Sequence, residues 1–227
     1  MSVRPAFLDG MRSVVPLLIG VAPFGLIFGV TAAGSAVGGG LGYASSLIIF
    51  AGAAQLATVQ LLTAGSAAVV VVATALVINA RHLMYSAALA PHFREFPTGW
   101  RLTLPYILTD QAFAVSVSRF DEGTTPEYKR WYFLGGAISL WTTWQLSSAA
   151  GVVLGASVPE SWSLDFAIPL VFLALLVPAL KDRPSVVAAV VGGVVALAAH
   201  GVSYNLGLLI GALVGIAAGV VAERVAL

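Results

Sequence analysis

Ala75-Leu-Val-Ile-Asn-Ala-Arg-His-Leu-Met-Tyr-Ser86 is the stretch on which the reading of this chain turns. It continues an apolar run that begins at Ala67 and then places Asn79, Arg81, His82 and Tyr85 within seven residues. From Ser13 to Ala80 there is no Asp, Glu, Lys or Arg, so 68 uncharged residues precede Arg81. An arginine at the centre of a membrane helix costs about 2.5–3.5 kcal/mol on insertion scales. Such a residue turns toward a bundle interior, a water-filled path or a ligand rather than toward lipid. The alternative is that Arg81 snorkels to an interface, since His92, Arg94 and Glu95 follow about two to three helical turns later. At 100° per residue, Asn79, His82 and Ser86 share one helix face and Arg81 and Tyr85 another. The cluster therefore serves two neighbours, or the helix unwinds here.

The totals agree with a membrane reading. Of 227 residues, 59% are hydrophobic and 9% charged, with mean hydropathy +0.96, whereas soluble domains carry about 25% charged residues. Further charge-free runs cover Trp131–Pro159 and Ser185–Ala222, each longer than the ~20 residues that span a bilayer core. None alternates apolar and polar residues as barrel strands do. The expected fold is an all-α polytopic membrane protein, a single transport domain over residues 1–227. A net charge of +1 without a basic tail excludes nucleic acid as a partner. The absence of cysteine removes disulfides, iron–sulfur clusters and thiolate zinc sites. His82, His92 and His200 lack metal-ligand spacing, so no cofactor and no metal are expected.

Arg4 and Arg12 precede the first apolar stretch, Val14–Val37, read as an uncleaved helix because later spans follow and cleavage would discard Pro23-Phe-Gly25. The second stretch, Ala44–Thr63, holds Phe50-Ala-Gly-Ala-Ala-Gln55 and then Thr58. Gln55 and Thr58 either make interhelical hydrogen bonds worth ~0.6 kcal/mol or line a substrate path. The third, Ser66–Ala90, carries the opening cluster and stops at Pro91. Leu102–Ser118 is short and contains Thr109-Asp110, with Thr103, Tyr106 and Asp110 forming a polar stripe. It either crosses the membrane or dips in beside a cavity. Beyond the charged loop Arg119–Arg130 come Trp131–Val158, then Asp165–Lys181 with Pro169 and Pro178, then Val186–Ala199, then Asn205–Ala222. In the last, Gly207, Gly211, Gly215 and Gly219 form a ridge for helix contact, within the chain or to a partner.

Six to eight transmembrane helices, some broken or re-entrant, follow from this pattern. With eight spans and a cytoplasmic N-terminus, eight basic residues lie inside and only Arg94 and Arg101 outside. If Leu102–Ser118 were re-entrant and one earlier segment also failed to cross, all ten would lie inside. A faint internal echo at an offset of 116 pairs Leu18-Ile-Gly20 with Leu134-Gly-Gly136 and Phe50-Ala51 with Phe166-Ala167. It suggests repeat halves 1–115 and 116–227, as transporters often have.

Pro23-Phe-Gly25, Phe50-Ala-Gly-Ala-Ala-Gln55 and Asn79-Ala-Arg-His82, followed by Thr109-Asp110, Asp165-Phe-Ala167 and Lys181-Asp-Arg183, occur in order over nearly the whole chain. The set resembles the AzlC-type large subunit of bacterial branched-chain amino acid exporters. That resemblance implies export of leucine, isoleucine or valine, and in some members methionine, across the bacterial cytoplasmic membrane. It also implies a small hydrophobic partner subunit of the AzlD type.

No GxxxxGK[ST] motif is present, so the chain is expected to work as a secondary transporter. An amino acid needs a cation for its carboxylate, which Arg81 or a helix N-terminus at a break supplies. Its ammonium needs an acceptor, which Asp110 supplies, and an intramembrane acid can also carry a coupling proton. Asn79, Arg81, His82, Tyr85, Gln55, Thr58, Pro23 and Gly25 are the candidate path residues, and Asp110 with Thr109 the candidate coupling site. A fixed Asp110–Arg81 ion pair that only holds helices is the competing role. A channel without ion coupling is the alternative function. An intramembrane enzyme lacks its paired aspartates or HExxH motif in this sequence.

Overall fold

The computed structural model describes residues 3–121, 123–155, 173, 176–177, 180–202 and 206–226. These are mostly helical, with no strand among the described residues. The chain is an all-α membrane protein organised around two long helices, α1 (Val3–Ala33) and α8 (Pro126–Gly155). At 1.5 Å per residue each is about 45 Å long, more than the ~30 Å hydrocarbon core. Their packing follows from small residues. Gly135 faces the Phe7 carbonyl, Gly10 the Tyr132 carbonyl, Gly25 Ser147, Gly151 the Leu26 carbonyl and Gly155 Val30. The numbers on both helices rise together, so α1 and α8 run parallel in backbone contact. Leu18–Gly20 and Leu134–Gly136 of the sequence echo lie on these two helices, while Phe166-Ala167 is outside the described residues.

α1 begins eleven residues before the expected Val14 and takes Arg4 and Arg12 into the helix. From the far end of α1 the chain returns along α8 as α2 (Gly39–Ile48): Gly39 touches Val152, and Ser46 reaches Trp144 and Gln145. At mid-height the second apolar stretch breaks. Phe50 has φ 42°, a left-handed conformation that is an outlier for a bulky residue, and α3 (Gly52–Thr63) starts after it. The third stretch breaks too, into α4 (Ala68–Asn79) and α5 (Arg81–Phe93), and α5 runs past Pro91 before ending.

Leu102–Ser118 is not one helix. It comprises the end of α6 (Thr98–Thr103), a 3₁₀ turn (Leu104–Ile107), the unwound pair Leu108-Thr109 and α7 (Asp110–Val117). The stripe expected of Thr103, Tyr106 and Asp110 therefore does not form. The segment leaves and regains the same end of the molecule. Trp100 packs on Trp131 at 5.0 Å, Phe120 on His92 at 5.4 Å, and Arg119 donates to the Tyr128 hydroxyl at 3.4 Å. Asp110, between them, reaches mid-height. Leu102–Ser118 is thus a re-entrant hairpin, and Arg94 and Arg101 join Arg12, Arg119, Lys129 and Arg130 at one end. That corrects the eight-span arrangement, which put those two arginines on the opposite side.

Two further helices follow, α9 (Arg183–Ala198) and α10 (Leu206–Ala226). The glycine ridge of α10 lies on α9: Gly211 approaches the Gly192 carbonyl (2.7 Å to an added Cβ), and Gly219 approaches Ala188 (2.9 Å). The ridge is therefore filled within the chain and is not a docking face for a partner. The expected Asp165–Lys181 span, with Pro169 and Pro178, and Asn205 are outside the described residues, apart from Leu173, Leu176, Val177, Leu180 and Lys181. By length and composition, three described stretches can cross a membrane: Val3–Ala33, Ala68–Phe93 and Leu206–Val225. α8 matches α1 in length but carries Thr142, Thr143, Gln145, Ser147 and Ser148, because part of its surface meets helices instead of lipid.

Candidate functional site

The three breaks meet. A cavity of about 630 Å³ at mid-height is lined by Arg81, His82 and Tyr85 from α5, by Thr109, Asp110 and Gln111 from α7, and by Phe50 to Ala53 from the α2–α3 break. Phe24 of α1 and Leu140 and Trp144 of α8 close its apolar side. Trp144 is fixed by Phe28, stacked at 5.6 Å, by Phe24, edge-on at 5.3 Å, and by donation from its indole to Ser46 Oγ at 3.2 Å.

Helix starts set the polar groups. Arg81 opens α5 and Asp110 opens α7, and their side chains face each other with Arg81 Nη1 3.6 Å from Asp110 Oδ2. That exceeds the ~2.7–2.9 Å of a charge-assisted hydrogen bond, and the side chains are 36% and 43% exposed. A pair so open is worth about 0–1 kcal/mol, so a ligand can replace either partner. Arg81 Nε has no hydrogen-bond partner. Thr109 caps α7, accepting from the Ala112 N–H at 3.2 Å. Ala51 at the start of α3 provides no side-chain cap, so the first backbone N–H groups of α3, beside the cavity, lack an intrahelical acceptor. Tyr85 stacks on Phe113 at 4.5 Å and ties α5 to α7. His82 Nδ1 lies 3.2 Å from the Asn79 carbonyl, and since a carbonyl only accepts, Nδ1 carries the proton there.

The sequence candidates divide. Arg81, His82, Tyr85, Thr109 and Asp110 come together on the cavity. On α5 Arg81, Tyr85 and His82 fall within a 100° arc, so one broad cavity takes all three, and the break at Ala80 detaches only Asn79 from that face. Asn79 ends α4 and does not line the cavity. Gln55 is wholly buried elsewhere: it donates to Ser45 Oγ at 3.0 Å and Ser46 Oγ at 2.9 Å, and accepts from the Ala51 N–H at 3.1 Å. A straight helix would put Gln55 and Ser45 about 15 Å apart, so this side chain holds the chain where it turns. Thr58 is a turn further on, half-buried and off the cavity. Gly25 is spent on α8 and Pro23 is exposed, while Phe24 between them supplies the wall. Sequence reasoning missed Phe24, Phe50, Trp144 and Lys181 as wall residues. The small run Ala51-Gly52-Ala53 behind Phe50 was the available sign of a break.

Comparisons bear on what this arrangement is. Residues 16–158 match the family model described as AzlC protein. A membrane protein of Archaeoglobus fulgidus is 33% identical over 208 residues, covering 88% of this chain and 87% of that protein. The inner membrane protein YgaZ of Escherichia coli K12 is 26% identical over 200 residues, covering 82% of this chain and 79% of its own. A membrane protein of Helicobacter pylori is 26% identical over 207 residues, covering 88% and 89%. No solved structure matches. With a family match over more than half its length and relatives that are membrane proteins along nearly all of it, this chain belongs to the AzlC family.

Proposed function

We propose that this chain is the substrate-carrying subunit of a secondary transporter that exports branched-chain amino acids from the bacterial cytoplasm. The loose Arg81–Asp110 pair on the polar wall of a cavity whose opposite side is apolar is the observation that carries the reading. Arg81, with the open N–H groups of α3, suits a carboxylate, and Asp110 suits an ammonium. Phe24, Phe50, Leu140 and Trp144 suit an aliphatic side chain. One methylene changes apolar transfer by about 0.8 kcal/mol, so such a wall discriminates valine from leucine weakly and specificity is broad.

Asp110 exchanges the substrate ammonium for a proton and so couples export to inward proton movement. The basic residues gathered at one end support a cytoplasmic side for that end and the N-terminus, and the name of the Escherichia coli relative favours the inner membrane. A small hydrophobic membrane subunit of the AzlD type completes the exporter. Counterflow of radiolabelled leucine in proteoliposomes, with and without that subunit, tests this. Absence of leucine exchange in both would overturn the substrate, and full uphill export by the chain alone would remove the partner.

A further inference from the structure

A second cavity, of about 270 Å³, lies further along α5 than the first. Ser86, Leu89 and Phe93 follow His82 at steps of four, three and four residues, so both cavities use one face of that helix. On the hairpin side, Leu108 lines the second cavity and its neighbour Thr109 lines the first. The unwound hairpin tip thus contributes to both cavities, and the second lies toward the basic end. Arg94 and Arg101 line it. Both are exposed, and neither guanidinium has a hydrogen bond or ion pair among the described residues, Glu95 included. Two unneutralised guanidinium groups beside Leu89, Phe93 and Leu108 offer a carboxylate clamp next to an apolar recess. The volume falls just below the ~300–1,000 Å³ of drug-sized sites, which fits one molecule of amino-acid size.

We infer that this chamber is a second substrate site, at which Arg94 and Arg101 hold the carboxylate of an aliphatic amino acid before it passes to Arg81. The inference rests on the transport reading above. It gives the chain two cationic stations about 20 Å apart along α5, with the hairpin tip between them.

The cysteine-free chain allows a direct test. Full-length Ser86→Cys carries one thiol on the chamber wall, and its rate of modification by anionic and cationic methanethiosulfonates is measured with and without leucine. The anionic reagent should react about tenfold faster than the cationic one, and saturating leucine should slow it severalfold. Adding Arg94→Gln and Arg101→Gln should abolish both effects, while Arg94→Lys with Arg101→Lys keeps the charge preference and reports that the chain is folded. Leucine protection that survives loss of both arginines, or no charge preference at all, overturns the inference. So does protection by anionic phospholipid and not by leucine, which would make this a lipid headgroup site. Leucine counterflow of the wild type, measured with and without the small subunit, separates the two readings. Absent counterflow removes the transport reading and this inference with it, whereas counterflow without protection at Ser86→Cys removes only the second site.

Discussion

Asp110 sits where its charge can matter in two ways, and its spacing from Arg81 argues for the mobile one. At 3.6 Å and more than a third exposed, the pair is too loose to serve mainly as a clamp between α5 and α7, a task the Tyr85–Phe113 stack already performs. Asp110→Asn should therefore leave the protein folded and exchanging leucine while abolishing uphill, proton-driven export. Retained uphill export rejects the coupling role, and failure to assemble restores the fixed pair. Arg81→Gln should raise the half-saturating leucine concentration by about tenfold or more, equivalent to ~1.4 kcal/mol, with Arg81→Lys intermediate because it lacks the planar fork. Arg81, His82, Tyr85 and Asp110 were legible as candidates because polar groups are rare in these apolar runs. Gln55 was equally conspicuous, yet only its bonds to Ser45, Ser46 and Ala51 reveal that it holds a turn.

Between elements, the α1–α8 contact is the most demanding. A Cβ on Gly151 would meet the Leu26 carbonyl, a backbone atom that cannot move aside, so Gly151→Val should destabilise by about 1–3 kcal/mol or separate the helices. Gly20 on the same helix pair has nothing within 4 Å, and Gly20→Ala should be neutral or slightly stabilising. Thermal unfolding in detergent compares them. Asp182, from the Lys181-Asp-Arg183 motif, has a local role: its Oδ1 accepts from the Ser185 N–H at 2.8 Å and caps α9. The hydrogen bonds from Ser185 hold its carboxyl below the usual range. A depressed value favours folding above the unfolded value near 3.9, and the contribution is lost as pH falls through the folded one. α9 should therefore loosen in acid, and Asp182→Asn, which still caps, should show less of that pH dependence in circular dichroism.

For the molecule as a whole, the gathering of basic residues follows from one hairpin. Because α6 and α7 leave and return at the same end, Gly99→Cys and Gly123→Cys should both react with an impermeant maleimide applied from one side of sealed vesicles, and from the side on which Arg12→Cys reacts. Labelling of Gly99→Cys and Gly123→Cys from opposite sides would mean that Leu102–Ser118 crosses after all. The same arrangement stations Arg94 and Arg101 beneath the central cavity, as the re-entrant alternative has them and the eight-span one does not.

Composition and periodicity determined the membrane class by themselves, since 68 uncharged residues before Arg81 have no stable home in water, and they also marked Arg81 and Asp110 as costly and hence purposeful. They determined the Gly207–Gly219 contact face of α10 as well, because close backbone approach needs small residues wherever it occurs. Which glycine row meets which helix was decided only in three dimensions, as the assignment of the Gly207–Gly219 ridge to α9 shows. The breaks were decided there too. Apolar runs read the same whether straight or folded back. The Gln55 bridge and the left-handed Phe50 turn one of them and the capped start of α7 another, while the third breaks at Ala80. Those turns bring residues about 30 positions apart onto one cavity, a distance that no local pattern of side chains encodes.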